Sequence, residues 1–296
     1  MKKVGNTDMI ELRKYQYKNV RIFAKMEMQN PGGSVKDRIG MWLIDNAILL
    51  GKLKYGDTII EATSGNTGIG IAIAAQEYKI KCILYVPSTT AKEKIARMKS
   101  YGAEIKLIDG TIDTCIGIVD IISETHDSLV WLNQFDNMAS VDCHYKTTAP
   151  EIHNWMYENV YDCYNQLNVL VSAMGTTGTI MGCSKFLKQY GWKIFGVMPD
   201  PNCKIEGLKN LNIQRVPKIY NKKALDCIIG VTDVEAINMM KELMLREDIV
   251  AGPSSGAALS AAMFIAKRIQ TNKKPINIVV ILPDDGHNYI SSGVWK

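Results

Sequence analysis

Short apolar runs alternate with amphipathic stretches along most of the chain. Runs with the length and β-branched content of strands cover residues 59–62, 82–86, 104–108, 169–172, 194–198 and 276–282. Stretches with helical spacing cover residues 39–50, 69–77, 91–101, 234–246 and 257–268. Strands that alternate with helices predict parallel sheets joined by right-handed crossovers, so the pattern indicates an α/β fold.

One long stretch interrupts this alternation. Residues 207–223 are rich in Asn, Lys and Pro and show no clear period, which predicts a long surface loop of a kind that is often functional. The chain has 296 residues, and at about 150 residues per domain it is expected to form about two domains or one large α/β unit.

Composition and charge exclude several classes of protein. The chain is 47% hydrophobic and 22% charged, which is typical of a globular protein. Its longest apolar runs are far shorter than the roughly 18 residues that span a bilayer, so no membrane segment is predicted. The net charge of +5 is spread along the chain, which gives no support to nucleic-acid binding. Polar residues directly follow the basic start at residues 1–3, so we expect no signal peptide and a cytoplasmic protein.

Cysteine and histidine spacing gives no support to metal or disulfide chemistry. The seven cysteines are an odd number and widely spaced, and the four histidines form no paired zinc motif. We therefore expect reduced, mostly buried thiols and no metal site. Any reaction that the protein catalyses needs another electrophile.

A lysine stands at a predicted helix start. Residues 30–38, Asn-Pro-Gly-Gly-Ser-Val-Lys-Asp-Arg, form a turn that delivers Lys36 to the first turn of the helix. The positive end of the helix dipole and a partly apolar setting lower the pKa of an amine and favour its use as a nucleophile. A solvated surface lysine is the commoner meaning of such a residue on its own.

Two loops rich in hydrogen-bond donors each connect a strand to a helix. Residues 63–68, Thr-Ser-Gly-Asn-Thr-Gly, offer N–H groups and hydroxyls that suit a carboxylate. Residues 175–179, Gly-Thr-Thr-Gly-Thr, repeat the arrangement with a donor density that suits a phosphate. Either loop alone is also compatible with an ordinary turn and helix cap. Neither has the spacing of a dinucleotide or nucleotide loop.

A third hydroxyl-bearing helix start lies at residues 252–256, Gly-Pro-Ser-Ser-Gly. It fits the string of a hydrolase nucleophile elbow, but no acid for a triad is marked out before His287. A capped helix start is the simpler interpretation. Its first hydroxyl, on Ser254, is also able to face a ring nitrogen.

In this order, the motifs resemble those of the cysteine synthase (O-acetylserine sulfhydrylase) and cystathionine β-synthase family of pyridoxal-phosphate enzymes of fold type II. The matching segments run nearly end to end and comprise residues 4–7, 30–38, 61–68, 134–135, 147–152 and 289–293. The sequence from Gly175 to Gly178 is closest to the B-type bacterial synthases. The resemblance implies two three-layer α/β/α domains with mainly parallel sheets and pyridoxal 5'-phosphate in the cleft between them. It implies a smaller mobile domain at residues 35–145 that binds the substrate carboxylate, a larger phosphate-binding domain at residues 1–34 plus 146–296, and a homodimer.

The resemblance also assigns roles to residues. Lys36 would form the Schiff base with the cofactor and move the α-proton of the substrate. The other cofactor contacts would come from Asn66, Gly175, Thr176, Thr177, Gly178, Thr179 and Ser254. The substrate carboxylate would be held by Thr63, Ser64, Gly65, Thr67 and Gln134. A neutral hydroxyl at the ring nitrogen would favour β-elimination over deeper carbanion chemistry.

The implied reaction is β-replacement through an α-aminoacrylate, most simply conversion of O-acetylserine and sulfide to L-cysteine and acetate, with O-phosphoserine as another donor. An alternative uses L-cysteine itself, releases hydrogen sulfide and forms lanthionine, cystathionine or serine. A dehydratase or racemase on the same fold is a weaker alternative, and a non-catalytic carboxylate-binding scaffold is a remote one.

Three positions depart from the usual family pattern. Asp8 replaces a proline, the arginine usual before Tyr289 is absent, and Leu-Lys-Asn-Leu at residues 208–211 replaces a glycine-rich stretch. In B-type synthases, basic residues occur in the stretch that corresponds to residues 208–211. Lys209 is therefore a candidate substrate-binding cation for an anionic or amino-acid nucleophile, with a solvated loop lysine as the alternative.

Overall fold

The buried runs of the chain form two sheets, each inside its own compact unit. The computed structural model describes residues 3–15, 17–160, 162–269 and 275–295. Met1 and Lys2, which belong to the basic start considered above for a signal peptide, lie outside these ranges. Unit 1 comprises Asn30–Ser140 with the first residues through Val4, and unit 2 comprises Gly5–Gln29 and Val141–Lys296. The roles given above to a mobile domain and a phosphate-binding domain stay predictions.

The described strands and α-helices follow one another as in most α/β proteins. They are β1 (Met9–Glu11), β2 (Val20–Met26), α1 (Lys36–Leu49), β3 (Thr58–Ala62), α2 (Asn66–Tyr78), β4 (Lys81–Pro87), α3 (Lys92–Ser100), β5 (Glu104–Ile108), α4 (Ile112–Thr125), β6 (Leu129–Trp131), α5 (Ala139–Lys146), α6 (Thr148–Asn159), β7 (Leu167–Ala173), α7 (Gly178–Leu187), β8 (Lys193–Pro199), β9 (Cys227–Val231), α8 (Asp233–Glu247), α9 (Pro253–Ile269) and β10 (Ile276–Leu282).

Unit 1 has a parallel four-stranded sheet with the order β5-β4-β3-β6. Successive residues of β3 point to opposite faces, as the two-residue period of a strand requires. Ile59 packs with side chains of α1, α2 and α3, whereas Ile60 packs with side chains of α4. Helices therefore cover both faces, and unit 1 has three layers.

Unit 2 has a six-stranded sheet with the order β1-β2-β10-β7-β8-β9, in which only the β1–β2 pair is antiparallel. Every residue of the central strand β10 is buried, which explains its uninterrupted apolar run. Ile22 and Val171 pack towards α8 and α9, whereas Phe23 and Leu170 pack towards α6 and α7. This unit also has three layers, and the predicted α/β/α fold class is confirmed.

Several predicted helices begin too late in the sequence. α1, α2 and α9 begin three or four residues before the predicted starts, at Lys36, Asn66 and Pro253. The reason is that N–H groups of a first helical turn need no intrahelical partner, so Gly, Ser, Thr and Pro are tolerated there. The candidate chemical residues therefore belong to helix N-termini and not only to the loops before them.

The loop over residues 207–223 is wrongly predicted to lie at the surface along its whole length. Asn210, Leu211 and Ile219 are buried, and Leu211 and Ile219 join the core beside α6 and α7. The Asn210 amide donates to the Pro199 carbonyl at 3.0 Å, which fixes the loop to the end of β8. A few buried apolar side chains thus anchor a segment whose composition is typical of an exposed loop.

No helix in the described part of the chain has both the length and the hydropathy that crossing a membrane requires.

Candidate active site

The turn before α1 places Lys36 at the helix start in unit 1. The backbone N–H of Lys36 donates to Ser34 Oγ at 3.2 Å, and Gly33 adopts a left-handed φ of 71°. The Asp37 carboxylate accepts a hydrogen bond from the Gly32 N–H. Lys36 itself is half-buried. The turn therefore holds an amine at the positive end of a 14-residue helix, as predicted.

Two glycines let α1 and α2 touch through their backbones. A Cβ on Gly70 would lie 2.4 Å from the Lys36 carbonyl oxygen, and a Cβ on Gly40 would lie 2.3 Å from the Gly70 carbonyl oxygen. Gly70 lies about one turn after the start of α2 at Asn66. The close contact therefore brings the Lys36 backbone next to the first turn of α2.

The loop at residues 63–68 connects β3 to α2 and is ordered by its first hydroxyl. Thr63 Oγ1 accepts from the Gly68 N–H at 3.0 Å and from the Gly65 N–H at 3.4 Å. Thr63 and Thr67 are buried, Ser64 is exposed, and a Cβ on Gly65 would meet only open space. The loop therefore has a rigid base and an open rim at a helix N-terminus, where an anion is stabilised.

Gln134 lies beside this loop. Its side-chain amide donates to the Ala62 carbonyl at 3.2 Å, one residue before Thr63, and its side chain is buried. A side-chain amide has two N–H donors, and the contact with Ala62 uses one of them. Lys36, the loop and Gln134, which were predicted to act on one substrate, all belong to unit 1.

Glu61 is a fully buried carboxyl group behind Gln134. One oxygen accepts from the Ala62 N–H at 3.0 Å and from Trp131 Nε1 at 3.1 Å, and the other accepts from the Gln134 backbone N–H at 3.4 Å. Burial raises the pKa of Glu61 to about 7, because these hydrogen bonds only partly offset the loss of hydration. The sequence motif contained this residue, but no role was predicted for it.

The second donor-rich loop, at residues 175–179, belongs to unit 2 and follows β7. Thr177 precedes α7 with a left-handed φ of 70°, and its hydroxyl is buried with no hydrogen-bond partner among the described residues. A Cβ on Gly175 would lie 2.4 Å from the Gly207 carbonyl oxygen. A strained residue and an unused buried hydroxyl at a helix N-terminus are features of a ligand site.

His144 supports this loop from α5. Its Nε2 lies 3.2 Å from Thr179 Oγ1, and its Nδ1 lies 2.8 Å from Thr148 Oγ1. His144 is completely buried, and a Cβ on Gly182 would lie 2.7 Å from the His144 Cβ. No role was predicted for His144 from the sequence. The only signal was its position four residues before Thr148.

Ser254 is the second residue of α9 and is buried in unit 2. Its hydroxyl donates to Asp284 Oδ1 at 3.3 Å, and the Tyr289 hydroxyl donates to Asp284 Oδ2. A Cβ on Gly252 would lie 2.3 Å from the Asp284 carboxylate, so the acid packs closely under the helix start. The tail residues Asp284 and Tyr289 therefore orient the hydroxyl that was predicted to meet the ring nitrogen.

Gly207 lies next to both Ser254 and the loop at residues 175–179. It has a φ of 89°, its carbonyl lies against Gly175, and a Cβ on it would lie 3.8 Å from Ser254 Oγ. The Lys209 N–H donates to the Met174 carbonyl at 2.8 Å, which holds the same backbone beside the end of β7. Lys209 is half-buried, and its predicted contact with substrate stays a prediction.

These residues fit a phosphorylated organic cofactor. The helix N-terminus at Thr177 suits a phosphate, glycine backbone approaches where a side chain would fill the space, and a separate hydroxyl stands at Ser254. Unit 1 separately contains an amine and a carboxylate-type loop. Groups of these kinds are typical of α/β enzymes that act on amino acids with such a cofactor.

Comparisons with known proteins agree with this class. The chain matches the family model described as pyridoxal-phosphate dependent enzyme over residues 1–284. It is 35% identical over 297 residues to cysteine synthase B of Pseudomonas aeruginosa, covering 99% of this chain and 95% of the relative. It is 34% identical over 305 residues to the O-acetylserine dependent cystathionine beta-synthase of Bacillus subtilis, covering 99% and 96%. The crystal structure of a hydrogen sulfide-producing enzyme from Fusobacterium nucleatum matches with a TM-score of 0.87 and 33% identity, covering 97% of each chain.

The chain therefore belongs to the pyridoxal-phosphate-dependent enzyme family. The resemblance to the cysteine synthases, the B type included, is confirmed, and so is the prediction of pyridoxal phosphate as the cofactor.

Proposed function

We propose that the protein catalyses β-replacement on a serine-type amino acid, most simply conversion of O-acetylserine and sulfide to L-cysteine and acetate. In this reaction the Cβ–O bond to acetate breaks and a Cβ–S bond forms. Relatives named cysteine synthase B and O-acetylserine dependent cystathionine beta-synthase support an O-acetylserine donor.

Each group of residues has a defined task in this proposal. When bound, pyridoxal phosphate supplies an electrophilic carbonyl and an electron sink. Lys36 Nζ holds the cofactor and afterwards takes the α-proton of the substrate. Asn66 would donate to the cofactor's 3-hydroxyl oxygen, and Ser254 would contact the ring nitrogen.

The remaining contacts bind anions at two helix N-termini. The phosphate is held by Gly175, Thr176, Thr177, Gly178 and Thr179. The substrate carboxylate is bound by Thr63, Ser64, Gly65, Thr67 and Gln134 through the N-terminus of α2.

The observation that carries the proposal is the set of contacts around Gly207. The Gly207 backbone contacts Gly175 on one side and lies near Ser254 on the other. The same backbone segment therefore adjoins both the phosphate-type loop and the hydroxyl proposed to contact the ring nitrogen. The buried Thr177 hydroxyl adds an unused donor on the same loop. An ordinary strand-to-helix turn needs none of these features.

A second candidate is β-replacement on L-cysteine with release of hydrogen sulfide. The similarity to the hydrogen sulfide-producing enzyme of Fusobacterium nucleatum favours it. A basic residue at position 209 would also suit a nucleophile that carries its own carboxylate. Both reactions use the same residues of the chain and differ in leaving group and nucleophile.

The experiment compares two reaction mixtures of the purified protein. One contains O-acetylserine and sulfide and is assayed for cysteine, and the other contains L-cysteine alone and is assayed for sulfide. We expect cysteine synthesis to be the faster reaction. Faster sulfide release would favour the second candidate, and neither product in the presence of bound cofactor would contradict both.

We also propose that the protein works as a homodimer in the cytoplasm, with residues 35–145 as the mobile domain. The free cysteines of the described residues, most of them buried, support a reducing compartment. Size-exclusion chromatography with light scattering checks the oligomeric state.

A further inference from the structure

Glu61 stands at the point where the β3–β6 ladder ends. Ile60 pairs with Trp131 in the last register position of that ladder, and the chain then turns at Asn133, which has a left-handed φ of 50°. Backbone N–H groups beyond the last pair need other acceptors. The Glu61 carboxylate provides one, because it accepts the Gln134 N–H.

The same carboxylate links the two predicted carboxylate-binding elements. One oxygen accepts from Ala62, directly before the loop at residues 63–68, and from Trp131. The other oxygen accepts from Gln134, whose side chain donates back to the Ala62 carbonyl. The carboxyl group is completely buried, so water cannot replace it in these contacts.

We propose that Glu61 is a positioning residue that sets the place of Gln134 relative to the loop at residues 63–68, and so determines the affinity for the α-carboxylate of an amino acid. This inference rests on the proposed function of that loop.

The two oxygens allow a selective test. In Glu61→Gln the amide oxygen can keep the two donors Ala62 and Trp131, which places the amide NH2 against the Gln134 N–H. Two donors then face each other, and the contact to Gln134 is lost. In Trp131→Phe one donor leaves the first oxygen, and the contact between Glu61 and Gln134 stays.

The experiment measures the dissociation constant of L-alanine for the holoenzyme at pH 8 from the change in cofactor absorbance. L-alanine has an α-carboxylate but no leaving group, so binding is measured without turnover. We expect Glu61→Gln to weaken binding about tenfold, which corresponds to one lost hydrogen bond with its donor left buried. Trp131→Phe is expected to stay within about twofold of the wild type, because a bond not shared with Gln134 contributes little to this affinity.

A control addresses effects of fold stability. Glu27→Gln removes another fully buried carboxylate, one that accepts from Thr7 in unit 2, and is expected to leave L-alanine binding unchanged. For Glu61→Gln, turnover at saturating O-acetylserine is expected to stay near the wild-type rate, so that KM changes and kcat does not.

Three results would overturn the inference. They are unchanged L-alanine binding in Glu61→Gln, equal weakening in Trp131→Phe, or loss of cofactor from Glu61→Gln. Failure of the proposed function has a different signature, because wild-type protein would then bind L-alanine without forming product from O-acetylserine or cysteine.

Discussion

The carbonyl oxygen of Lys36 lies 2.4 Å from the place where a Cβ on Gly70 would be. Because the obstacle is backbone and not a flexible side chain, α1 and α2 can keep this contact only with glycine at position 70. The position of the candidate catalytic lysine therefore depends on a residue in another helix. It also depends on Gly40, which contacts Gly70 from the α1 side.

We expect Gly70→Ala to displace the start of α1 and to lower the amount of cofactor bound at Lys36. The thermal midpoint should also fall, since overpacking costs about 1–3 kcal/mol. The measurement is the ratio of cofactor absorbance to protein absorbance, together with a thermal melt. Gly117→Ala is the matched control, because its helical site has open space and alanine is the better helix former. Equal cofactor content in Gly70→Ala and wild type would contradict the role of this contact.

His144 is expected to stabilise the candidate phosphate loop through Thr179. His144→Leu removes both side-chain contacts and leaves the Thr179 and Thr148 hydroxyls without them. We expect a weaker affinity for pyridoxal phosphate, by about tenfold, from equilibrium dialysis of apoprotein. Thr148→Val removes the far contact only and is expected to have a smaller effect on this affinity. An equal loss of pyridoxal phosphate affinity in the two variants would contradict the prediction that His144 acts through Thr179.

Glu61 is expected to make stability depend on pH. Burial raises its pKa from 4.5 to about 7, so the folded state binds a proton that the unfolded state has already released. The contribution of the Glu61 carboxyl group to the free energy of unfolding is fully present below about pH 4.5. It is lost as the pH rises through about 7, and the loss is at most about 3 kcal/mol. The free energy of unfolding of Glu61→Gln minus that of the wild type should therefore increase from pH 5 to pH 8. Thermal melts of both proteins at these two pH values test this, and a constant difference would show that the acid does not titrate in this range.

Gly175 is expected to tolerate no side chain. A Cβ there would meet the Gly207 carbonyl, so Gly175→Ala must move either the phosphate-type loop or the segment that approaches Ser254. We expect apoprotein of this variant to be folded by circular dichroism but to bind pyridoxal phosphate at least about tenfold more weakly. Gly191→Ala is a control for general damage, since open space surrounds that turn, although its φ of 77° brings some backbone strain. Wild-type affinity in Gly175→Ala would contradict the assignment of this loop.

The sequence predicted the buried parallel strands better than the rest of the fold. Residues 276–282 have no polar interruption because β10 is covered on both faces, and their boundaries agree with the structure. β2 was not predicted, because Arg21 and Lys25 interrupt its apolar pattern. Lys25 is nevertheless buried, where its ammonium donates to Glu151 at 2.7 Å and to the Thr7 carbonyl. Such a pairing between distant segments leaves no local signal.

The site shows the same division between local and distant information. Lys36, Ser254 and the two loops lie at helix starts that short motifs mark, so they can be proposed from the sequence, and their roles stay predictions. Glu61, His144 and Asp284 contact Gln134, Thr179 and Ser254, which are 73, 35 and 30 positions away in the chain. Only the folded backbone brings these supporting groups to the residues they orient.

Lys36 is the centre of this account, and its link to the cofactor can be measured directly. The holoenzyme is reduced with sodium borohydride, digested with protease and analysed by peptide mass spectrometry. We predict that the reduced pyridoxyl phosphate is attached to the peptide containing residues 30–38, at Lys36, and that Lys36→Ala contains no attached cofactor. Attachment to any other lysine, or wild-type labelling in Lys36→Ala, would contradict the account.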